Sequence, residues 1–133
     1  MMSDKLGYRV VNNTTTTIKP TPAGFFGLSV TGDLTGRVIG TVTTRSGAGA
    51  VPITAATVRL TTTGANALTL ANGANGQILS IVMVADGGDG TLTPTTKTGF
   101  TTITFGDVGD SVTLQYFTTL GWMILSNNGA TVA

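Results

Sequence analysis

Apolar and polar residues alternate with a period of two in several short segments of the chain. Val112, Leu114 and Tyr116 alternate with polar residues, and Ile103 and Phe105 alternate with threonines. Because successive side chains of a β-strand point to opposite faces, this pattern predicts strands that bury one face. No segment of useful length carries the apolar stripe of an amphipathic helix. The chain is therefore predicted to be all-β.

Strand candidates recur at intervals of roughly 8–12 residues, a spacing typical of a sandwich or barrel. The chain shows no repeat of fixed period, which argues against a solenoid. We therefore expect an antiparallel β-sandwich. The predicted strands are Tyr8–Val11, Thr15–Lys19, Phe25–Val30, Arg37–Thr44, Ala56–Thr61, Ala67–Leu70, Gly76–Ala85, Gly90–Pro94, Thr101–Phe105, Ser111–Phe117 and Trp122–Ser126.

One predicted strand is apolar on both of its faces. It runs from Leu79 to Val84, and Ser80 is its only polar residue. A strand that is covered on each side has such a composition. We expect it at the centre of a sheet, with the sandwich core on one side and a neighbouring sheet or subunit on the other.

Glycine, asparagine and aspartate mark the connections between the strands. The sequence DGGDG at residues 86–90 is predicted to close a hairpin, and GDVGD at 106–110 forms a second glycine-rich loop. Residues 118–120, followed by Gly121, are predicted to form a short hairpin loop. Asn-Gly pairs occur at positions 72–73, 75–76 and 128–129.

A small and flexible segment, Ser46–Pro52, marks a predicted domain boundary. Residues 1–47 are expected to form an N-terminal arm or small β attachment region, and residues 48–133 a C-terminal β-sandwich domain. Threonines 14–17 and the prolines at 20 and 22 favour an extended conformation in the first region. An arm, a hairpin pair and extra strands of the same sandwich remain alternatives there.

The composition excludes most catalytic chemistry. The chain has no cysteine, histidine or glutamate, and only 10% of its residues are charged. Thiol nucleophiles, thiolate metal sites and imidazole acid–base catalysis therefore have no carrier. We expect neither an enzyme nor a bound cofactor. The 28 threonines favour strands and give a polar surface of low charge, typical of proteins that assemble with copies of themselves.

The formal net charge of +1 argues against nucleic acid as a partner. The charge is uneven: residues 1–59 hold six lysines and arginines against two aspartates, and residues 60–133 hold one lysine against four aspartates. Two explanations of this uneven charge are equally good. It is either chance scatter in a small number of charged residues, or a sign that the basic half faces an acidic protein lattice. Neither a signal peptide nor a membrane helix is predicted, so we expect synthesis in a host cytoplasm and no membrane partner.

Four aspartates are the candidates for metal binding. Asp86 and Asp89 lie in one glycine-rich loop, and Asp107 and Asp110 lie in the other. Convergence of the two loops would supply oxygen ligands for Ca²⁺, although neither loop matches an EF-hand. The alternative is that these aspartates accept hydrogen bonds from local backbone N–H groups in ordinary turns. The same pairs mimic the carboxyl pair of a glycosidase in sequence, but they lie on short glycine-rich turns, so glycosidase chemistry is not predicted.

Aromatic residues are expected mainly in the core. Trp122 with Tyr116 would suit a sugar-binding platform, but core packing is the favoured interpretation. Phe25 and Phe26 are consecutive, so in a strand they point to opposite faces and one would be left for a partner. A loop that tucks both rings inward is the alternative.

The stretch from about Ala56 to Ala133 resembles virion surface proteins of tailed phages, including cyanophages. The similarity covers roughly 60% of the chain and consists of short motifs: Leu68–Leu70, Asn75–Gln77, Ala85–Asp89, Thr91–Pro94, Thr102–Phe105, Gly109–Leu114, Gly121-Trp122 and Ser126–Ala130. This resemblance implies a trimeric, β-sandwich or jelly-roll-like fold and a place on the virion surface.

The leading hypothesis is a decoration (cement) protein that stabilises the phage head through homotrimer contacts and contacts with the major capsid protein. A tail-fibre or appendage receptor-binding domain is an alternative, and a carbohydrate-binding module is another. If the basic half faces the shell, its charged and aromatic residues are the candidate capsid contacts. They are Arg9, Lys19, Phe25, Phe26, Arg37 and Arg45.

Overall fold

A computed structural model describes residues 37–133 of the chain. Residues 38–133 form one compact unit, and the division from the preceding unit falls between Arg37 and Val38. The described residues form strands and no helix. The strands are β1 (Val42–Ser46), β2 (Gly49–Ala50), β3 (Thr57–Thr61), β4 (Asn66–Leu70), β5 (Ile78–Ala85), β6 (Gly90–Pro94), β7 (Ile103–Phe105), β8 (Ser111–Phe117), β9 (Gly121–Asn128) and β10 (Thr131–Val132).

The ten strands form two five-stranded sheets. Sheet A has the order β1-β3-β5-β8-β9, and sheet B has the order β10-β7-β6-β4-β2. From β1 to β6 the chain alternates between the sheets, and each strand lies parallel to the one two places before it. This is the winding of a parallel β-solenoid. The all-β prediction is confirmed and the two sheets are consistent with a β-sandwich, but the expectation of antiparallel strands is wrong for this half of the unit.

The remaining strands are antiparallel to their neighbours. β7 pairs with β6 and β10 in sheet B, and β8 pairs with β5 and β9 in sheet A. The predicted hairpin loop at residues 118–120 is confirmed, since Phe117 pairs with Gly121 and the Leu120 N–H donates to the Phe117 carbonyl at 3.1 Å. Both sheets are thus mixed, and among the described strands β1 and β2 are the edges at one end and β9 and β10 the edges at the other.

The DGGDG segment forms a connection between the two sheets and not the predicted hairpin. This segment carries the chain from β5 in sheet A to β6 in sheet B, so the predicted hairpin is wrong. A Cβ on Gly87 would lie 2.6 Å from the Thr62 carbonyl oxygen, and one on Gly88 would lie 2.7 Å from the Gly64 carbonyl carbon. The loop therefore needs glycine because it stacks on the backbone of the preceding turn of the winding.

The core lies between the two sheets and takes the inward residues of nearly every strand. Sheet A contributes alternate residues of β3, β5 and β8, and sheet B contributes those of β4, β6 and β7. The largest fully buried side chains are Trp122, Phe105, Leu60, Leu68, Leu70, Leu79, Ile81, Met83, Leu92, Ile103, Leu114 and Val58. The predicted burial of the apolar face of β8 and of both apolar residues of β7 is confirmed.

The segment predicted as a domain boundary lies inside the compact unit. Residue 47 belongs to the turn between β1 and β2, and the Gly47 N–H donates to the Thr61 carbonyl at 2.9 Å. β1 pairs with β3, and β2 pairs with β4. Both strands therefore belong with the residues that follow them. The three strands predicted before residue 37 lie outside the described residues.

Candidate interaction surfaces

The outer face of sheet A carries large apolar side chains. Along β5, Leu79, Ile81 and Met83 point inward and are at most 1% exposed, whereas Ile78 is 52% exposed and Val82 is half-buried. The strand is thus central in its sheet and apolar on both faces, as predicted. Within residues 37–133, no other sheet covers its outer face.

Neighbouring strands extend this apolar character. Gln115 of β8 lies between Ile78 and Met123 in one cross-strand row, and Phe117 lies at the end of β8. Met123 and Phe117 are half-buried. We call Ile78, Val82, Phe117 and Met123 the sheet A face. Most of the other outward positions hold Ser, Thr or Gln, and Arg59 is the one cation in the described strands of this face.

The outer face of sheet B is a lattice of threonines. One row joins Ala67, Thr91, Thr104 and Thr131 across four strands. The Oγ1 atoms of Thr91 and Thr104 lie 3.3 Å apart, within hydrogen-bond distance. A second row contains Ala50, Thr69 and Thr93. We call these seven residues the sheet B face. Its side chains are small, and some of their hydroxyl groups form hydrogen bonds with each other across neighbouring strands.

An open depression of about 340 Å³ lies at the edge of the sheet B face. Its lining is Ala65, Asn66, Ala67, Asp89 and Thr91. Asp89 is its only ionisable residue, and the backbone carbonyl of Asp89 accepts a hydrogen bond from the Asn66 N–H at 2.8 Å. A single carboxylate without a partner acid, base or nucleophile provides no catalytic constellation.

Strand β1 is one of the two edge strands of sheet A among the described residues, and it carries a charged side chain that points toward the interior. Arg45 pairs in register with the buried Leu60, and its half-buried side chain lies against Gly49. Its Nε atom is buried and has no hydrogen-bond partner among residues 37–133. An inward-pointing charge on an edge strand discourages uncontrolled strand pairing. Just before this strand, Val38 and Ile39 are 75% and 72% exposed.

The candidate capsid contacts divide accordingly. Arg37 is exposed, whereas Arg45 occupies the inward-facing position just described. Arg9, Lys19, Phe25 and Phe26 lie outside the described residues. Sequence reasoning did not single out Val38 and Ile39, because an apolar pair in a predicted strand gives no sign that both side chains will be exposed.

The four aspartates lie in two neighbouring loops but do not gather into one site. The Asp89 and Asp110 carboxylates both lie beside Gly106. Within residues 37–133, however, no group of three or more acidic side chains is placed to hold a metal ion. The structure thus does not assemble the four-carboxylate Ca²⁺ site that was considered for Asp86, Asp89, Asp107 and Asp110.

Two of these carboxylates bind local backbone N–H groups instead. Asp86 accepts from Gly88 at 2.8 Å. Asp110, which is only 9% exposed, accepts from Gly106 at 2.8 Å and from Asp107 at 3.1 Å. A Cβ on Gly129 would lie 2.0 Å from Asp110 Oδ1, so the glycine there makes room for the carboxylate. Asp110 thereby holds together the loop that joins sheet B to sheet A.

Trp122 is a core residue. Its side chain is fully buried, and its indole N–H donates to the Ala71 carbonyl at 2.8 Å. The Tyr116 ring packs against it edge to face, with ring centroids 5.3 Å apart and planes at 66°. This confirms core packing and leaves the pair without an exposed ring face for a sugar.

No protein-family model matches the chain, and no curated protein sequence matches it. Among the described residues there is no helix that is long and apolar enough to cross a bilayer. The interaction surfaces therefore have to be interpreted from their own chemistry.

Proposed function

We propose that the chain is a structural protein of a phage virion that decorates the head shell and associates with copies of itself through the sheet A face. The observation that carries the proposal is the apolar outer side of β5, which no other sheet of residues 37–133 covers, with Ile78 at 52% exposed. The resemblance of residues 56–133 to virion surface proteins supplies the biological setting. The low charge and the lack of a catalytic constellation favour a structural role over an enzymatic one.

Self-association through this face is expected to be weak for an isolated pair of subunits. Full burial of one Ile- or Val-sized side chain contributes about 1.5–3 kcal/mol, and three of the four residues of the sheet A face are already half-buried. The remaining gain has to offset the loss of translational and rotational freedom. A ring of three subunits on a shell lowers that cost, because each subunit then has two neighbours and the lattice beneath it.

The contact with the major capsid protein is assigned to the basic N-terminal region. Residues 1–37 contain Lys5, Arg9, Lys19 and Arg37 against Asp4 and Asp33. Arg37 is exposed immediately before the compact unit begins. A region with excess positive charge that precedes a nearly neutral domain suits an acidic shell surface.

Removal of residues 1–37 is the direct test of this assignment. Truncation at the boundary that the sequence predicts, after residue 47, would remove β1, whereas a chain that starts at Val38 keeps all ten described strands. We expect the shortened protein to lose binding to purified shells in a co-sedimentation assay, and to keep the fluorescence of its buried Trp122. Shell binding equal to that of the full chain would contradict the assignment.

A tail fibre or appendage is the second candidate, and it is favoured by the β1/β2 end of the winding, where no further strand of residues 37–133 pairs. β1 and β2 are edge strands of the two sheets at the same end, so further turns of a longer assembly would stack there. Immunogold electron microscopy of virions, with an antibody against this chain, separates the two locations. Label on heads supports decoration, and label confined to tails supports the appendage.

A further inference from the structure

The three Asn-Gly pairs of the chain lie in different structural settings. Spontaneous deamidation of such a pair begins when the glycine nitrogen attacks the asparagine Cγ. The new N–Cγ bond replaces the Cγ–Nδ2 bond, ammonia leaves, and a five-membered succinimide forms. Water then opens the ring to aspartate or isoaspartate. The reaction needs a glycine N–H that can lose its proton and a side chain that can turn toward it.

Hydrogen bonds oppose this reaction at Asn75-Gly76. The Gly76 N–H donates to the Tyr116 carbonyl at 2.8 Å, and Asn75 Oδ1 accepts from the Thr118 N–H at 3.1 Å. Attack by the Gly76 nitrogen would break the first bond, and rotation of the Asn75 side chain would break the second. Each broken bond adds to the activation barrier.

The sheet opposes the reaction at Asn128-Gly129. Asn128 pairs with Ser111 at the end of β9, and its Nδ2 donates to the Gly109 carbonyl at 3.3 Å. Gly129 has a φ of 80° and no free space beside Asp110. Closure of the succinimide ring would require this segment to leave the ladder.

Gly73 packs against Gln77 and Trp122, but among the described residues no hydrogen bond holds the two reacting groups of Asn72-Gly73. It lies between β4 and β5, outside any strand, and Asn72 is exposed. Neither the Asn72 side chain nor the Gly73 N–H forms a hydrogen bond with another of residues 37–133. We infer that Asn72 is the site at which the folded protein undergoes covalent modification, by deamidation through a succinimide formed with Gly73. Because the reaction converts a neutral amide into a carboxylate, the formal net charge of the chain falls from +1 to zero.

The modification would disturb the packing of the core beneath the loop. A Cβ on Gly73 would lie 2.9 Å from Trp122 Cζ2, so the Gly73 backbone sits directly against the indole ring. The preceding Ala71 carbonyl accepts the indole N–H. An isoaspartate adds a methylene to the main chain at this point, and the fluorescence of the single tryptophan reports the change.

The test is a time course of the full chain at mildly alkaline pH, with peptide mapping by mass spectrometry at each Asn-Gly pair. In the folded protein we expect Asn72 to convert roughly tenfold faster than Asn75, the ratio that corresponds to loss of about one hydrogen bond, and faster than Asn128. In denaturant the three sites should convert at similar rates, because all three have glycine as the next residue.

Two variants separate the site from its surroundings. Asn72→Gln cannot form the five-membered ring and leaves Gly73 in place, so we expect it to abolish both the modification and the slow change in Trp122 fluorescence. Gly73→Ala should slow the reaction but also presses on the Trp122 ring, so it is the secondary variant. Conversion of Asn75 or Asn128 as fast as Asn72 in the folded chain would overturn the inference. Resistance of Asn72 in the folded chain, with conversion in denaturant, would overturn it too.

Discussion

The outer faces of sheets A and B differ although the two sheets are built alike. Each sheet has five strands, of which three are parallel and come from successive turns of the chain. The sheet A face carries Ile78, Val82, Phe117 and Met123, whereas the sheet B face carries only threonine and alanine. The shared topology shows that the fold itself does not require large apolar residues on an outer face.

The proposed function gives the two faces separate roles. The branched Cβ of threonine favours the strand conformation, and its hydroxyl group is solvated by water. The sheet B face is therefore stable when it is exposed to solvent. Ile78 and Val82 gain nothing comparable from solvent. Their position on a central strand is explained if another subunit covers them, as the proposed function requires.

The largest expected effect comes from the inner side of the same strand. Leu79→Ala removes a fully buried side chain from β5 and should lower the free energy of unfolding by about 2–5 kcal/mol. Thr93→Ala, on the exposed side of sheet B, should change it by less than about 1 kcal/mol. Urea denaturation followed by Trp122 fluorescence measures both. Equal losses for the two variants would mean that the core is not placed between the sheets as described.

Much of this architecture could be predicted from residue patterns, but strand direction could not. Alternation such as that of Val112, Leu114 and Tyr116 identifies a half-buried strand whether its neighbour is parallel or antiparallel. The parallel winding also left no repeat of fixed period. Val42 pairs with Thr57 and Thr57 pairs with Ser80, so successive turns differ in length.

A smaller effect is expected at the loop that joins the two sheets. Asp110→Ala removes the acceptor for the Gly106 and Asp107 N–H groups and should cost about 1–3 kcal/mol. Asp107→Ala is the matched control, because the Asp107 side chain is exposed, and it should stay within about 0.5 kcal/mol. Chemical denaturation decides between them. If the two variants lose the same stability, the buried carboxylate does not organise the loop.

The candidate surface was only partly predictable for a related reason. The apolar run of β5 predicted a central strand that is apolar on both faces. Nothing in the pattern assigned Met123 to the same face, because the pairing of Gln115 with both Ile78 and Met123 depends on contacts between distant strands. The backbone partners of Asp110 agree with the alternative of an ordinary turn aspartate, but the sequence did not indicate which N–H groups would donate.

The measurement that tests the central claim most directly is sedimentation equilibrium of the full chain and two double variants. Ile78→Thr with Val82→Thr makes the sheet A face resemble sheet B, and Thr69→Ser with Thr93→Ser is the control that changes the same number of residues on the sheet B face. We expect the wild type and the second variant to associate toward trimers as concentration rises, and the first to associate about tenfold more weakly, the equivalent of about 1.4 kcal/mol. A wild type that stays monomeric throughout, or a first variant that associates as tightly as the wild type, would contradict the account.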